Sequence, residues 1–170
     1  MDFPLDISDF ARLELPLEPD IDEPQLAQLE GNIALLRDTI ITLTAIARAR
    51  GLGGHTGGPY DIVPEVLIVD ALRDGGATIH TEFFDEAGHR AALQYARAAL
   101  RGRLPPEQLL HYREYDSGLA GHPEKELLDC IDFSSGRLGH AAGHVNGVAL
   151  ACPGEAVVMF GSDGSQMEGN

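Results

Sequence analysis

The sequence predicts an α/β protein that is rich in helix, with a few parallel strands. Apolar residues recur at steps of three and four along much of the chain, which is the period of amphipathic helices. Residues 157–160 are instead apolar on both faces, as in a buried parallel strand covered by helices. Only two or three strands can be drawn from the sequence, so the predicted sheet is incomplete.

The amino-terminal residues 1–22 mix prolines with acidic residues and lack a helical period. We predict an irregular arm here, because such a composition gives few apolar contacts and breaks regular structure. Arms of this kind often lie on a neighbouring protomer. One domain is expected to follow over residues 23–170.

Five helices are predicted. The first begins at Pro24, since proline suits a first helical turn, and ends at Gly51. The second begins near Pro64 and stops at Gly75. The remaining three cover residues 92–102, 105–114 and 138–151, and the one convincing strand covers residues 155–162.

Composition excludes several classes of function. The chain has 170 residues, enough for one domain of ordinary size, and its net charge of −15 opposes general binding to nucleic acid. No apolar run approaches the ~18 to 20 residues that cross a bilayer, and the amino terminus does not resemble a signal peptide. We predict a cytoplasmic protein. Cys130 and Cys152 lack the spacing of a redox or metal motif and are expected to be free, buried thiols.

Five of the seven histidines follow a glycine directly. They are His55, His89, His122, His140 and His144. Functional side chains concentrate in loops, where a rigid scaffold aims them and glycine lets the backbone approach a ligand. The alternative, surface turns with incidental histidines, stays open on composition alone.

His140 and His144 lie four residues apart, which places both on one face of a helix at a metal-ligand spacing. The glutamate of a metalloprotease signature does not stand between them. Helix packing, or a histidine facing a pocket, explains the pair better than zinc does. The glycine-rich residues 52–61 match no nucleotide-binding loop, and no serine lies in a hydrolase nucleophile elbow.

Asp163 follows the predicted terminal strand within a turn of small residues. Ligands of open α/β sheets bind beyond the carboxyl ends of the strands. A carboxylate there can bind Mg²⁺, and small neighbours let backbone amides approach a diphosphate. Asp-Gly after a strand is also common turn chemistry, and for this motif alone the turn is the favoured interpretation.

The order of the motifs resembles the start of the transketolase family, from about Leu35 to the last residue. The most specific pieces are GHPE at residues 121–124, the G-x-L-G turn at 136–139, and the acid-glycine turn that ends in Glu168 and Gly169. The middle of the chain also resembles the homodimeric first component of pyruvate dehydrogenase, which belongs to the same thiamine diphosphate superfamily.

The resemblance implies a thiamine diphosphate-binding domain of the pyrophosphate type. By this resemblance Asp163 is a ligand of Mg²⁺ (or Ca²⁺), and Gly164 lets the backbone close on the diphosphate. Gly136 and Leu138 lie against the aminopyrimidine and the thiazolium. Glu168 matches a glutamate of the family's dimer interface.

The resemblance also implies roles for three histidines. His89 would contact the diphosphate and the reaction centre, while His55 and His122 would face the hydroxyls of the donor sugar or help to move protons. Imidazoles suit this task because they titrate near neutral pH.

Three departures from the family pattern stand out. Ser162 replaces the glycine before the aspartate, and His140 stands where the family has glutamine, which we expect to alter substrate choice. The family's second metal ligand, an asparagine, comes much further along the chain than Asn170, so Asn170 is not that ligand.

The resemblance implies transfer of a two-carbon ketol unit between sugar phosphates through thiamine diphosphate and Mg²⁺. Turnover would need the remainder of the polypeptide or a partner chain, as a homodimer or with a complementary subunit. Two alternatives stay open: part of a pyruvate dehydrogenase-like component that decarboxylates a 2-oxo acid, and a non-catalytic, truncated interaction module.

Overall fold

The computed structural model describes residues 2–18 and 20–168. Within them the α-helices are α1 (Glu23–Ala49), α2 (Gly57–Asp61), α3 (Val63–Asp74), α4 (Ala91–Leu100) and α5 (Ala141–Ala151). The strands are β1 (Phe84–Asp85) and β2 (Met159–Phe160), and 3₁₀ helices cover Gly88–Arg90, Pro106–His111 and Ser165–Met167. No helix in this part of the chain combines the length and apolar character that a membrane span requires.

The amino-terminal segment carries no helix or strand over residues 2–18 and 20–22, yet it packs on its own chain. Phe3 and Leu15 are buried, and the Leu15 amide donates a hydrogen bond of 2.9 Å to the carbonyl of Ala71 in α3. The packing of this segment is therefore intramolecular in the structure. The division of the chain into an arm and a domain stays a prediction.

Helix α1 begins where the sequence places its capping residues. The Asp22 side chain accepts a hydrogen bond from the Gln25 amide at 2.8 Å, and the Gln25 side chain accepts one from the Asp22 amide at 3.1 Å. This reciprocal capping box satisfies two amides that the first turn would otherwise leave unpaired. Leu36, Ile40 and Leu43 are fully buried along one face, as the period of the sequence predicts.

A buried ion pair joins α3 to α4. Arg97 donates two hydrogen bonds of 2.6 Å, one to each carboxylate oxygen of Asp70. Burial alone would raise the pKa of Asp70, but the hydrogen bonds and charge of Arg97, with the charges of Arg101 and Arg73, lower it below its usual value. Because both side chains are buried, the pair links the two helices, and loss of either partner would leave the other charge buried without compensation.

Two helix predictions are corrected. Pro106–His111 forms a 3₁₀ helix rather than an α-helix, and it ends because Tyr112 turns extended and Arg113 takes a left-handed φ of 64°. Helix α5 begins at Ala141 instead of residue 138, because Gly139 takes a left-handed φ of 86°. The first, second and third predicted helices are confirmed by α1, α3 and α4.

The two strands pair in parallel, Phe84 with Met159 and Asp85 with Phe160. The prediction of a strand buried on both faces is wrong, because residues 157–160 are only half-buried. The physical reason is that β2 pairs only with β1 in the described part of the chain, so its other edge stays uncovered. A helix-rich α/β fold with few parallel strands is nevertheless confirmed.

Cys130 and Cys152 are both free, as predicted. Cys130 is buried in the core, whereas Cys152 is only half-buried and corrects the prediction of two buried thiols. Cys152 directly follows α5, a helix whose surface is largely exposed, and this position explains its accessibility.

Candidate functional site

The residues that follow β1 and β2 leave the sheet at the same edge, because the two strands are parallel. The Glu86 amide donates a hydrogen bond of 3.0 Å to the carbonyl of Phe160, which extends the pairing one residue beyond β1. The segment with Gly88 and His89 and the turn with Asp163 therefore start side by side.

A buried arginine ties these two segments together. One Arg90 nitrogen, Nη2, donates hydrogen bonds to Asp85 Oδ1 at 2.6 Å, to the Phe160 carbonyl at 2.9 Å and to the Gly161 carbonyl at 3.0 Å. Burial raises the pKa of Asp85 to about 6, against the opposing charge and hydrogen bonds of Arg90. The Asp85–Arg90 pair thus joins the backbone at the end of β1 to the backbone at the end of β2.

His55 and His89 meet at this edge. Their rings lie edge-on, with centroids 5.0 Å apart and planes at 60°. The loop of His55 is held by the hydroxyl of Thr56, which donates a hydrogen bond of 2.9 Å to Thr44 of α1. Burial lowers the pKa of His89, and the nearby His55, Arg90 and His122 lower it further.

His122, from the GHPE motif, completes the group. A Cβ atom placed on Gly88 would lie 2.6 Å from His122 Cδ2 and 2.5 Å from the Ser135 carbonyl oxygen, so only glycine fits there. A Cβ on Gly136 would lie 3.9 Å from the same His122 atom. His122 thus lies between the two glycines and links the motif of His89 to the G-x-L-G turn.

The G-x-L-G turn in turn packs on the residues after β2. A Cβ on Gly139 would lie 2.4 Å from Glu168 Cβ, and one on Gly164 would lie 3.6 Å from Leu138 Cδ2. Gly139 is doubly required, since its φ of 86° also favours glycine. Motifs far apart in the sequence therefore form one continuous surface.

Asp163 lies exposed in the turn after β2. Its Oδ1 accepts a hydrogen bond of 2.8 Å from the Gly164 amide. The turn is held by two serines: the Ser165 amide donates to Ser162 Oγ at 3.2 Å, and the Ser162 amide donates to Ser165 Oγ at 3.0 Å. Ser162, which departs from the family's glycine, does not adopt a left-handed backbone, so the turn accommodates it without strain.

One buried acid at the edge was not anticipated from the sequence. Glu86 is 1% exposed, and neither of its carboxylate oxygens has a hydrogen-bond partner within residues 2–18 and 20–168. It lines a cavity of about 270 Å³ together with Gly136, His140 and His144. In the sequence, Glu86 belongs to a pair of acidic residues that follows two phenylalanines directly. This pattern is equally typical of an ordinary turn, so it does not predict a buried carboxylate.

The structure thus brings together the candidate histidines His55, His89 and His122, and it places Gly136, Leu138, Asp163 and Gly164 on the adjoining turns. His140 and His144 line the neighbouring cavity, in keeping with a histidine that faces a pocket. Glu168 contacts the G-x-L-G turn, whereas Gly169 and Asn170 lie outside the described residues.

This arrangement suits a phosphorylated cofactor and a hard metal ion. The exposed carboxylate of Asp163 is an oxygen ligand of the kind that Mg²⁺ and Ca²⁺ prefer. Glycines such as Gly88 and Gly139 let the backbone segments of the site pack closely together, and the imidazoles supply hydrogen-bond donors or acceptors beside them. The residues present therefore fit a metal-bound diphosphate with an organic ring system.

Comparison with known proteins identifies the family to which this region is similar. Residues 38–167 match the model of a family described as transketolase, thiamine diphosphate binding domain. The transketolase of Staphylococcus epidermidis is 28% identical over 152 residues, which cover 78% of this chain and 23% of that protein.

Two further relatives are similar to the same region. The chromosomal transketolase of Cupriavidus necator is 32% identical over 148 residues, covering 75% of this chain and 22% of its own length. One of the subunits of the apulose-4-phosphate transketolase of Actinobacillus succinogenes is 32% identical over 131 residues, or 73% of this chain and 46% of that relative. This chain thus spans between a fifth and a half of these relatives. It belongs to the transketolase family, in the part that forms the thiamine diphosphate binding domain.

Proposed function

We propose that this chain contributes part of the thiamine diphosphate and Mg²⁺ site of a transketolase-like enzyme, which transfers a two-carbon ketol unit between sugar phosphates. The observation that carries the proposal is the convergence of His55, His89 and His122 with the turn of Asp163 at the carboxyl edge of two parallel strands. Ligands of parallel α/β sheets bind at such an edge.

In the proposed site Asp163 is a metal ligand. Its carboxylate is exposed and bonded only to the adjacent Gly164 amide among the described residues, so oxygen lone pairs stay available for Mg²⁺. Gly164 lies against Leu138, and its lack of a side chain would let the backbone approach the diphosphate. Gly136 and Leu138 would lie against the rings of the cofactor. Thiamine diphosphate, when bound, supplies the nucleophilic carbon on which ketol transfer depends.

The histidines have distinct environments and therefore distinct proposed roles. His89 is half-buried with a lowered pKa, so its imidazole stays neutral near pH 7 and can accept a proton or a hydrogen bond beside the reaction centre. His55 and His122 are exposed beside His89, where they can contact the hydroxyls of a donor sugar. His140, in place of the family's glutamine, adds an imidazole to the adjoining cavity.

Completion of the site by another chain or segment is part of the proposal. Helix α5 is mostly apolar or small, yet it buries only Ala141 and Val145 and leaves Leu150 85% exposed. Exposed apolar surface of this kind marks a contact with another protein surface. A homodimer or a complementary subunit would cover it, with Glu168 near the interface. The Actinobacillus succinogenes relative, which is named as one subunit of its transketolase, supports an enzyme assembled from separate chains.

Sugar phosphate is the proposed substrate class because the relatives above are named transketolases. A 2-oxo acid, the alternative indicated by the pyruvate dehydrogenase-like middle segment, has no support from these names. A non-catalytic interaction module would keep the fold without binding the cofactor, and the following experiment separates it from the proposal.

The test is calorimetric titration of thiamine diphosphate with Mg²⁺ into the chain, alone and with the polypeptide that complements it. We expect weak binding alone and clear binding to the complemented protein. Asp163→Ala should abolish that binding. Asp129→Ala is the matched control, since it removes the same charge from an exposed position outside the site.

Two results would contradict the proposed function. One is an Asp163→Ala protein that binds the cofactor as tightly as the Asp129→Ala protein does. The other is an absence of binding even in the complemented protein, which would favour the non-catalytic module.

A further inference from the structure

Three metal-ligating side chains meet at the amino ends of the two strands, opposite the carboxyl ends that carry the proposed cofactor site. His80, Cys152 and Glu155 each place one ligand atom within 4.8 Å of the other two. His80 precedes β1, and Cys152 and Glu155 precede β2, so the group lies at the amino ends of strands whose carboxyl ends carry Asp163. The two sites are therefore distinct in position.

Backbone pairing brings these side chains together. The His80 amide donates a hydrogen bond of 2.9 Å to the Ala156 carbonyl, and the Ala156 amide donates one of 2.9 Å to the Thr78 carbonyl. The Glu155 amide donates to the Cys152 carbonyl at 3.2 Å, which closes a tight turn. Main-chain hydrogen bonds thus hold the backbone of His80 close to the turn that carries Cys152 and Glu155.

The ring of His80 is also restrained. It stacks on Phe84 of β1 with centroids 6.0 Å apart and planes at 11°. Its Nδ1 lies 2.7 Å from Glu155 Oε2, within hydrogen-bond distance. On the other side, Glu82 Oε2 lies 3.6 Å from His80 Nε2, and Lys125 Nζ lies 3.7 Å from Glu82 Oε1.

The combination of ligand types favours zinc over Mg²⁺ and Ca²⁺. A thiolate, an imidazole and a carboxylate are the three side-chain groups that bind zinc in proteins. Mg²⁺ and Ca²⁺ take oxygen ligands and would leave the sulfur and the ring nitrogen unused. A carboxylate beside the second nitrogen of a metal-bound histidine, the position of Glu82, is the usual outer support of such a ligand.

An ordinary ion pair between His80 and Glu155 accounts for two of the three side chains. It does not account for Cys152, whose sulfur lies beside them at a half-buried position. Zinc would replace the hydrogen bond between His80 and Glu155 and would displace the proton of the Cys152 thiol to solvent.

We infer that His80, Cys152 and Glu155 form a zinc site with three protein ligands and water in the fourth position. Glu155 has a 43% exposed side chain, which leaves a path for the ion to enter. Bound zinc ties the end of α5 and the start of β2 to the segment before β1. The site therefore stabilises the pairing of the strands that lead to Asp163, and it exists whether or not the cofactor is bound.

Cobalt substitution tests the inference directly. The full chain, stripped with a chelator and titrated with Co²⁺, should give the visible bands of tetrahedral cobalt and the near-ultraviolet charge-transfer band of a thiolate ligand. Zinc should displace cobalt and abolish both. Cys152→Ser should remove the charge-transfer band and weaken zinc at least about tenfold, the scale on which changes at metal sites act.

The second free cysteine supplies the matched control. Cys130→Ser changes the same atoms at a buried position outside the group and should keep the cobalt spectrum. Circular dichroism verifies that each variant is folded. If Cys152→Ser does not fold, Glu155→Gln at the exposed ligand gives the same test, with the thiolate band kept and the affinity reduced. A wild-type chain without a thiolate band, or equal spectra from the two cysteine variants, would overturn the zinc site.

Discussion

Helices α4 and α5 are similar in composition and opposite in environment. Each consists mainly of alanine and other apolar or small residues, yet all 10 residues of α4 are buried, whereas α5 buries 2 of its 11. The difference lies in what surrounds them: α1, α2 and the Pro106–His111 3₁₀ helix cover α4, while the described chain leaves most of α5 open. The first region is a self-contained core, whereas the second leaves apolar side chains such as Leu150 exposed within the described residues.

This contrast matters because the candidate site lies between the two regions. His55 and His89 are anchored on the covered side, near α1 and α4, and Asp163 lies in the turn beyond half-buried β2. One half of the site therefore has a rigid support within the chain. The other half is held mainly by the pairing of β1 with β2.

The largest effect is expected from the ion pair inside the covered region. Arg97→Ala leaves the Asp70 carboxylate buried without its main partner, and we expect a loss of about 3–5 kcal/mol in the free energy of unfolding. Urea denaturation measures it. Arg103→Ala removes a 40% exposed arginine from a pair with Asp132 and should cost at most about 1 kcal/mol. Equal losses from the two variants would mean that the buried Asp70–Arg97 pair stabilises the fold no more than an exposed ion pair does.

Two leucine substitutions, one in each helix, compare how much α4 and α5 contribute to the free energy of unfolding. Leu93 in α4 is fully buried, so Leu93→Ala should reduce the free energy of unfolding by about 2–5 kcal/mol. Leu150 in α5 is 85% exposed, so Leu150→Ala should change it by less than about 0.5 kcal/mol in the isolated chain. In the complemented protein Leu150→Ala should become destabilising. If it stays neutral there, α5 is not the covered face.

A smaller effect is expected from Asp85, which makes the free energy of unfolding depend on pH. Its pKa is raised from 3.8 to about 6, so the folded state binds more protons than the unfolded state between these values. This contribution to stability is greatest below about pH 4 and is lost as the pH rises through about 6. Asp85→Asn removes it while keeping an oxygen for Arg90.

The difference in unfolding free energy between the wild type and Asp85→Asn, followed from pH 4 to pH 7, isolates this contribution from the other carboxylates. We expect the wild type to lose stability relative to the variant as the pH rises. Asp129→Asn, at an exposed position, is the control. A difference that does not change with pH, or one that changes in the opposite direction, would contradict the raised pKa.

The covered region was largely predictable from the sequence because its signals are local. The helical period, the proline of the first turn and the terminal glycines of α1 and α3 act within a few residues of the backbone they shape. Strand β1 was missed because two residues give no alternating pattern. The burial of β2 was overestimated because apolar residues favour a buried strand but do not show which elements pack against it.

The candidate site was predictable only through the order of its motifs. Nothing local indicates that the rings of His55 and His89 touch or that Gly88 packs on His122. These contacts arise from long-range packing and strand pairing. The same holds for His80 and Cys152, which the pairing of Ile79 with Ala156 brings together, and for the buried carboxylate of Glu86.

Hydrogen exchange of backbone amides tests most directly the claim that the cofactor and a covering chain together complete the site. The chain alone is compared with the complemented protein bound to thiamine diphosphate and Mg²⁺. We expect slower exchange at residues 161–168 and across α5, and no change across α4, which is already protected in the core. Unchanged exchange at residues 161–168, or an equal change across α4 and α5, would contradict the account.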